Sequence, residues 1–360
     1  MKKCLAIVIA FQLLFAMIPV MAEGITVQGN VAEIEKYGHA QLDITIEDFN
    51  DAGFELGDIV TVSAGSYTGD MPYFNGYYVD RGEYMVRAYP GHTNIAVCIN
   101  YGKFAETAGL GVGDSVTITL KEKGGALLLQ EISNLVYSND RANSASDAAF
   151  ANFRAVSEGK VYRSASPVDN QYNRAQYADT LIREAGVQTV MNMADREEEI
   201  AALFAAEDDA SPYYRELYDA GKVIVLGLAI DFTSDEFAAG IVEGFDFLAE
   251  RDMPWLVHCV EGKDRSGFAA MMLEALMGWD EEQIVANYMM SYENYYGIEA
   301  GTDKYDLIAE KNVKEMLRVV AGLDAGASME EVDLLAAAET YLLSHGMEKG
   351  VLECLEAKLR

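Results

Sequence analysis

The chain has 360 residues, of which 51% are hydrophobic, and 58 acidic against 27 basic side chains give a formal net charge of −31 at pH 7. That length supports two domains with cores of their own, and so acidic a balance excludes nucleic acid or an anionic membrane surface as the main partner. A phosphate-bearing ligand must therefore be drawn by a local positive site, not by the field of the whole molecule.

At the N-terminus Lys2 and Lys3 precede an apolar run from Leu5 to Val20, and small residues at Val20 and Ala22 suit cleavage after Ala22. The run is short for a membrane anchor, and no later segment is apolar and long enough to span a bilayer. A signal peptide over residues 1–22 is expected, leaving a secreted chain with no integral membrane segment. Three cysteines then remain: Cys98, Cys259 and Cys354. An odd number without regular spacing is not a disulfide framework, and a reactive thiol in an exported protein suits a reducing or anaerobic habitat.

From Ile25 to about Val136 polar and apolar residues alternate in short runs divided by glycines, as in Asp58-Ile59-Val60-Thr61-Val62 and Asp114-Ser115-Val116-Thr117-Ile118-Thr119-Leu120. This spacing predicts a small all-β barrel or sandwich over residues 23–137. Gly57-Asp58 and Gly113-Asp114 each read as a turn entering a strand. The runs Gly29–His39 and Asn100–Ala105 make the segment resemble the C-terminal β-barrel domain of the S-adenosylmethionine hydroxide adenosyltransferases. That family's nucleoside-handling N-terminal domain has no counterpart here, so the segment is read as a binding or spacer module.

Residues 138–149 are small and polar and read as a linker. From 150 to 360 helical patterns alternate with short apolar strands: a helix over Asp179–Ala185, a strand over Thr189–Met193, a helix near Glu197–Ala206, a strand over Val223–Ile230 and a helix over Asp235–Glu250. The alternation predicts a mostly parallel sheet flanked by helices, with a helical C-terminal part from Glu281.

Next, Pro254–Val257 reads as a buried strand and Phe268–Met277 as a buried helix, with His258-Cys259-Val260-Glu261-Gly262-Lys263-Asp264-Arg265-Ser266-Gly267 between them. Strand, tight loop and helix N-terminus aim several backbone N–H groups at one point, where the helix dipole favours negative charge. A cysteine beneath those amides and beside a guanidinium is expected to be a thiolate near neutral pH. Such a group attacks phosphorus.

The motif resembles the Cys-x5-Arg signature of the protein tyrosine phosphatase superfamily. More narrowly, it is similar to the His-Cys-x-x-Gly-Lys-Asp-Arg-Thr-Gly loop of bacterial tyrosine phosphatases that also accept phosphoinositides, with Ser266 in place of threonine. Asn152-Phe153-Arg154 and Gly159–Pro167 resemble the opening of the same family, so the resemblance runs from about Phe150 to the C-terminus. It implies Cys259 as nucleophile and Arg265 as a bidentate clamp on the phosphoryl oxygens. The amides of Val260, Glu261, Gly262, Lys263, Asp264 and Arg265 would complete the cradle, with Gly262 and Gly267 permitting its curvature. Ser266 would donate to the cysteine sulfur, His258 would orient the loop, and Arg163 would brace it.

Three aspartates compete as the general acid. Asp231 follows the strand Val223–Ile230 and stands as far before Cys259 as the acid loop of dual-specificity and inositol-phosphate phosphatases does. Asp264 lies within the loop and is the acid favoured in the Gly-Lys-Asp-Arg family. Asp195 falls where that family carries Asp-Leu-Arg, here replaced by Asn192-Met193-Ala194. Lys263 would either meet a second phosphate or remain a solvated loop lysine. The tyrosines between Asn287 and Tyr296 would pack the last helices over the site. No cofactor is implied, and His39, His92 and His345 have no partners at metal-ligand spacing. The leading expectation is a secreted cysteine-dependent phosphatase of the tyrosine or dual-specificity type, acting on a phosphorylated substrate. A phosphoinositide or inositol-polyphosphate phosphatase and a non-catalytic phosphoryl-binding module are the alternatives.

Overall fold

Alternating apolar residues close the N-terminal segment into a barrel. In the computed structural model, which describes residues 24–205 and 211–360, the strands are β1 (Thr26–Ile34), β2 (Ala40–Thr45), β3 (Ile59–Ala64), β4 (Tyr67–Phe74), β5 (Tyr84–Arg87), β6 (Asn94–Ile99) and β7 (Ser115–Glu122). They run β1-β2-β6-β5-β4-β3-β7 around a closed barrel, β7 returning to β1. The β4–β5 pair is parallel and the others are antiparallel. Closure leaves no sheet edge unpaired. Every second residue points inward: Val60, Val62 and Ala64 from β3 meet Val116, Ile118 and Leu120 from β7 in the core. Two short helices, α1 (Ile46–Asp51) and α2 (Phe104–Ala108), link strands of the barrel and a third, α3 (Leu127–Ser133), follows β7, and Phe49 of α1 stacks on Phe54 with ring centroids 4.0 Å apart. Gly57 and Gly113 adopt φ of 92° and 94°, as the two strand-entry turns require. Asp58 is buried there and accepts from the amides of Glu55 and Gly124, each at 2.8 Å.

The chain divides into two compact units, Met1–Asn134 and Leu135–Arg360. In the second, β8 (Arg154–Ser157), β9 (Val161–Ser164), β10 (Thr189–Asn192), β11 (Val223–Val225) and β12 (Trp255–His258) form a sheet in the order β11-β10-β12-β9-β8. Only β8 runs antiparallel to its neighbour. Strands β9, β10 and β12 are buried at every position, as a sheet covered on both faces demands. Around them lie α4 (Asp147–Phe150), α5 (Ala175–Glu184), α6 (Glu197–Ala205), α7 (Pro212–Asp219), α8 (Asp235–Ala249), α9 (Arg265–Leu276) and α10 (Glu281–Tyr296). The tail adds α11 (Asp303–Ala309), α12 (Glu315–Ala321), α13 (Leu334–Ser344) and α14 (Lys349–Leu359). From Ser266 to Leu276 every residue of α9 is buried, which marks it as the central helix of this unit.

Several expectations shift. The strand expected over Val223–Ile230 stops at Val225: Gly227 takes φ 56°, and the amide of Leu228 turns to the carbonyl of Met193. The helix expected from Asp179 begins at Ala175, and α7 was not anticipated. Residues 138–149 carry a helical turn over Arg141–Asn143 and the start of α4, and Arg174 donates to the Asn139 side chain at 2.6 Å and the Ser138 carbonyl at 3.1 Å. The leader expected over 1–22 lies outside the described residues. Among those described, no helix is long and apolar enough to cross a membrane.

Candidate active site

Four parallel strands end in one row. Val225 pairs with Asn192, Asn192 with His258, and His258 with Ser164. The loops that follow, 226–231, 193–196, 259–264 and 165–169, therefore leave the same edge of the sheet, where open α/β sheets bind ligands. That edge carries Asp231, Asp195, the Cys259 loop and Asp169.

The loop after β12 is held with its carbonyls turned outward. Val260 O accepts from the Ser166 amide at 3.1 Å. Glu261 O accepts from Asn152 Nδ2 at 3.1 Å and Tyr295 Oη at 2.5 Å. Gly262 O accepts from Asn152 Nδ2 and Arg163 Nη2, both at 3.0 Å, and Lys263 O from Arg163 Nη2 at 2.9 Å. A peptide whose oxygen faces out presents its N–H to the other side, so four consecutive anchored carbonyls turn the loop amides toward its centre. Gly262 has φ 66°, and a Cβ there would lie 2.2 Å from the Ser164 carbonyl carbon. At Gly267 a Cβ would come within 2.6 Å of the Tyr288 ring. Both glycines are thus fixed by close approach as well as curvature.

Asp264 is the N-cap residue of α9, yet its side chain makes no capping bond. It accepts from Tyr288 Oη at 3.2 Å and lies 3.8 Å from Lys263 Nζ. The first amides of α9 are thereby left without a side-chain acceptor from the N-cap residue, which suits them to an anion. Cys259 is 3% exposed, with Sγ 3.5 Å from Ser266 Oγ. The Arg265 Nη1 donates to the carbonyls of Leu228 at 2.8 Å, Met193 at 3.3 Å and Ala194 at 3.4 Å, while its buried Nε has no partner among the described residues. One end of the guanidinium is thus tied to the neighbouring loops and the Nε–H stays available.

His258 is wholly buried, its ring set edge-on against Tyr214, and neither ring nitrogen makes a well-formed hydrogen bond. Burial drives its pKa down to about 3, so the ring is neutral at physiological pH. The ring packs on Tyr214 and lies against the Cys259 backbone, its direct link to the loop. Arg163 and Arg154 face each other across β9 and β8 and are both buried. Desolvation lowers the pKa of each, and Glu274 beneath them counters it. Burial raises Glu274 to about 8, against the pull of Arg163 and Arg154.

The three candidate acids sit differently. Asp231 is exposed and caps its own turn, accepting from the Thr233 hydroxyl at 2.9 Å. Asp264 is engaged by Tyr288 and Lys263. Asp195 is 7% exposed, its Oδ2 accepting from Asn192 Nδ2 at 2.9 Å. Burial raises its pKa, with Asp169 and Glu199 adding to the shift while Asn192 and Arg265 oppose it. Lys263 is not solvated: its side chain is 12% exposed, set 3.3 Å from Glu261 and against the rings of Tyr292 and Tyr296. The tyrosines of α10 do face the loop, and Tyr137 joins them, hydrogen-bonding Glu261 and packing on Tyr295 at 4.8 Å. Asn152, with φ 49°, is the brace the sequence did not assign, together with Arg154, Asn287 and Ser291. The one signal was that Asn152-Phe153-Arg154 matches the family's opening. Among the described residues no group of three or more His, Cys, Asp or Glu could hold a metal ion.

Residues 146–360 match the family model described as "Tyrosine phosphatase family". The chain belongs to that family. A Cupriavidus necator protein assigned as a tyrosine-protein phosphatase is 46% identical over 48 residues, 13% of this chain and 18% of that one, so the chain spans under a fifth of that relative's length. Among solved structures, an uncharacterized conserved protein from Thermotoga maritima is 21% identical, covering 31% of this chain and 42% of that one, with a TM-score of 0.25. TpbA of P. aeruginosa in complex with pTyr is 20% identical over 49% of this chain and 96% of its own, with a TM-score of 0.29. The core catalytic domain of the PP-IP phosphatase SIW14 from S. cerevisiae is 17% identical over 48% and 91%, with a TM-score of 0.28. The resemblance of the N-terminal segment to the adenosyltransferase barrels stands as an expectation.

Proposed function

We propose that this tyrosine phosphatase family member is an exported, cysteine-dependent phosphomonoester phosphatase of the tyrosine or dual-specificity type. The observation that carries the reading is the row of anchored carbonyls from Val260 to Lys263, which turns the loop amides onto one point above Cys259. The Cys259 thiolate attacks phosphorus there, while the loop amides and Arg265 take the charge spread over the three equatorial oxygens. The bond to the leaving oxygen breaks, and that oxygen takes a proton from Asp195, whose raised pKa keeps a proton available beside Arg265. Water then attacks the phosphocysteine and gives its proton to the Asp195 carboxylate, and the thiolate departs as Ser266 Oγ donates to the sulfur. Among the three aspartates the acid is assigned to Asp195, which is buried near Arg265, whereas Asp231 is exposed and committed to Thr233 and Asp264 is engaged by Tyr288 and Lys263. Export rests on the leader-like residues 1–22, and the barrel serves as an accessory binding or spacer module.

The test is phosphate release by residues 23–360 under reducing conditions from a phosphotyrosine peptide, with Cys259→Ser alongside. Release that falls to background in the variant is expected. Release that survives in Cys259→Ser, or no release from the folded, reduced parent, would overturn the reading.

A further inference from the structure

One end of the barrel carries a polar network that the fold itself does not require. The β1–β2 turn, the end of β4 and the β5–β6 turn meet there. Strands β4 and β5 run parallel with Phe74 beside Arg87, and β2 and β5 both pair with β6. That end presents a row of rings, Tyr37, His39, Tyr77, Tyr89 and His92, with successive centroids 5.5–6.4 Å apart. Tyr37, Tyr77 and Tyr89 are 67%, 38% and 42% exposed. Exposed side chains ordinarily change rotamer freely; Tyr77 and Tyr89 are held from below.

Arg87 and His39 are each 4% exposed. Arg87 donates to Tyr77 Oη and to Glu35 Oε1, both at 2.7 Å. Its guanidinium lies 5.8 and 5.6 Å from the ring centroids of Tyr77 and Tyr89. Tyr77 Oη is also 3.1 Å from His39 Nε2. A buried ion pair is weak support for stability, and this one leaves Arg87 Nε and His39 Nδ1 buried without partners among the described residues. Orphaned polar atoms are a cost that calls for a function. What the network achieves is to fix the rings before a ligand arrives, which lowers the cost of binding.

The surrounding chemistry narrows the ligand. A cation is excluded, because Arg87 already fills the place over the Tyr77 and Tyr89 faces. A nucleic-acid strand stacks on such rings but needs cations along its backbone. Here Arg87 is matched by Glu35 and Lys103 by Glu106, which leaves Lys36, 5.3 Å from the Tyr37 centroid, against a net charge of −31. Burial and Arg87 both lower the pKa of His39, so that ring adds no charge. A proline-rich segment also docks on aromatic rings, yet proline brings no N–H to donate. Glu35 asks for a donor: it meets Arg87 and His92 through Oε1, leaving Oε2 as an acceptor. Vicinal hydroxyls donate and accept side by side, and a pyranose turns a face of C–H groups toward an aromatic ring. From Tyr37 to Tyr89 neighbouring rings are tilted by 44–53°. The row is therefore twisted, which fits a single chain in solution and not a flat crystalline face.

We propose that this end of the barrel binds a neutral glycan chain, with pyranose rings stacked on Tyr37, Tyr77 and Tyr89 and hydroxyls bonded at Glu35 and His92. This gives the accessory unit a ligand of its own and does not depend on the phosphatase reading.

The test is affinity electrophoresis and calorimetric titration of residues 23–360. The neutral ligands are hydroxyethyl cellulose, laminarin, pullulan, arabinoxylan and galactomannan; polygalacturonate, polyproline and microcrystalline cellulose run alongside. Retardation by at least one neutral polysaccharide is expected, with little capture by the crystalline one. Tyr37→Ala/Tyr89→Ala should weaken that binding by about ten-fold or more, as loss of two central rings does at other recognition surfaces. Tyr77→Phe keeps the ring and removes the hydroxyl that Arg87 holds, so it should weaken binding by a smaller factor. Should the double variant melt early, the single variants Tyr37→Ala and Tyr89→Ala carry the comparison. No retardation by any neutral polysaccharide, unchanged affinity in the ring variants, or tighter binding of polygalacturonate or polyproline would overturn the proposal. None of these outcomes bears on phosphate release, which Cys259→Ser tests separately.

Discussion

Asp195 and Asp231 would donate the same proton from opposite environments, and exposure separates them. A general acid acts while protonated, so its limb of the rate profile falls as pH rises through its pKa. Burial raises that of Asp195 and so extends the protonated form toward neutral pH. Asp195→Asn is expected to lower kcat on a phosphotyrosine peptide by about 10²–10⁴-fold and to remove the falling limb. The loss should be smaller on p-nitrophenyl phosphate, whose leaving group needs less protonation. Asp231→Asn, which alters an exposed turn, should stay within a few-fold of the parent, and the reverse ranking would return the role to Asp231. Glu274 makes a second prediction at this scale. Its folded pKa, raised by burial to about 8 from 4.5, means that the folded state holds its proton more tightly than the unfolded one. Its contribution to stability is therefore complete below about pH 4.5 and is lost as pH rises through about 8. Glu274→Gln, which stays neutral throughout, should flatten the stability profile across that window in urea titrations at several pH values. An unchanged slope there would show that Glu274 does not titrate with folding.

Strands β8 and β9 do for the loop what the motif itself cannot. Arg163 Nη2 serves two buried carbonyls at once and Nη1 approaches Asn287 Oδ1 at 3.3 Å. A planar fork reaches these acceptors together, while an ammonium on a different stem does not. Arg163→Lys is expected to lose about 1.5–3 kcal/mol for each charged hydrogen bond broken and to weaken phosphate inhibition of the enzyme, both readable from denaturant melts and inhibition constants. Intact inhibition with lowered stability would reduce Arg163 to a packing role. The strand–loop–helix that carries Cys259 and Arg265 was legible in the sequence because its spacing is local and its residue pattern specific. Of the bracing network, Arg163 and the α10 tyrosines were anticipated, whereas Asn152, Arg154, Asn287 and Ser291 were not, because they are ordinary polar residues that only the fold brings together. Strand β11 was read too long for a related reason: Val223–Ile230 is apolar throughout its first half, and apolar content alone does not show that Gly227 turns the chain toward Met193. The barrel was easier, since period-two alternation in β3 and β7 is itself the signal of a half-buried strand.

Two cores on one chain imply two cooperative units. The barrel core and the core under the sheet are built from residues on opposite sides of Asn134. Calorimetry of the whole chain is expected to resolve two transitions, and a phosphate-mimicking inhibitor should raise only the one belonging to Leu135–Arg360, because a ligand stabilises the unit that binds it. Where the catalytic unit begins can be tested more sharply. Tyr137 bonds Glu261 within the cradle and lies 5.0 Å from the Arg174 guanidinium, which also holds Ser138 and Asn139. Every loop brace named above lies at or beyond Tyr137. A fragment starting at Leu135 is thus expected to fold and to match the full chain in kcat/KM on p-nitrophenyl phosphate. A fragment starting at Phe150 discards Tyr137, the Arg174 anchors and the Ser146 cap, whose hydroxyl accepts from the Ala149 amide at 3.1 Å. It leaves the Arg174 guanidinium without two of its acceptors, and burying a charge short of partners is costly. The Phe150 fragment should melt lower and turn over more slowly, with the deficit in KM larger than in kcat if Tyr137 acts by positioning Glu261 and the loop. Equal melting temperatures and rates for the two fragments would place 138–149 outside the catalytic unit and return it to a linker.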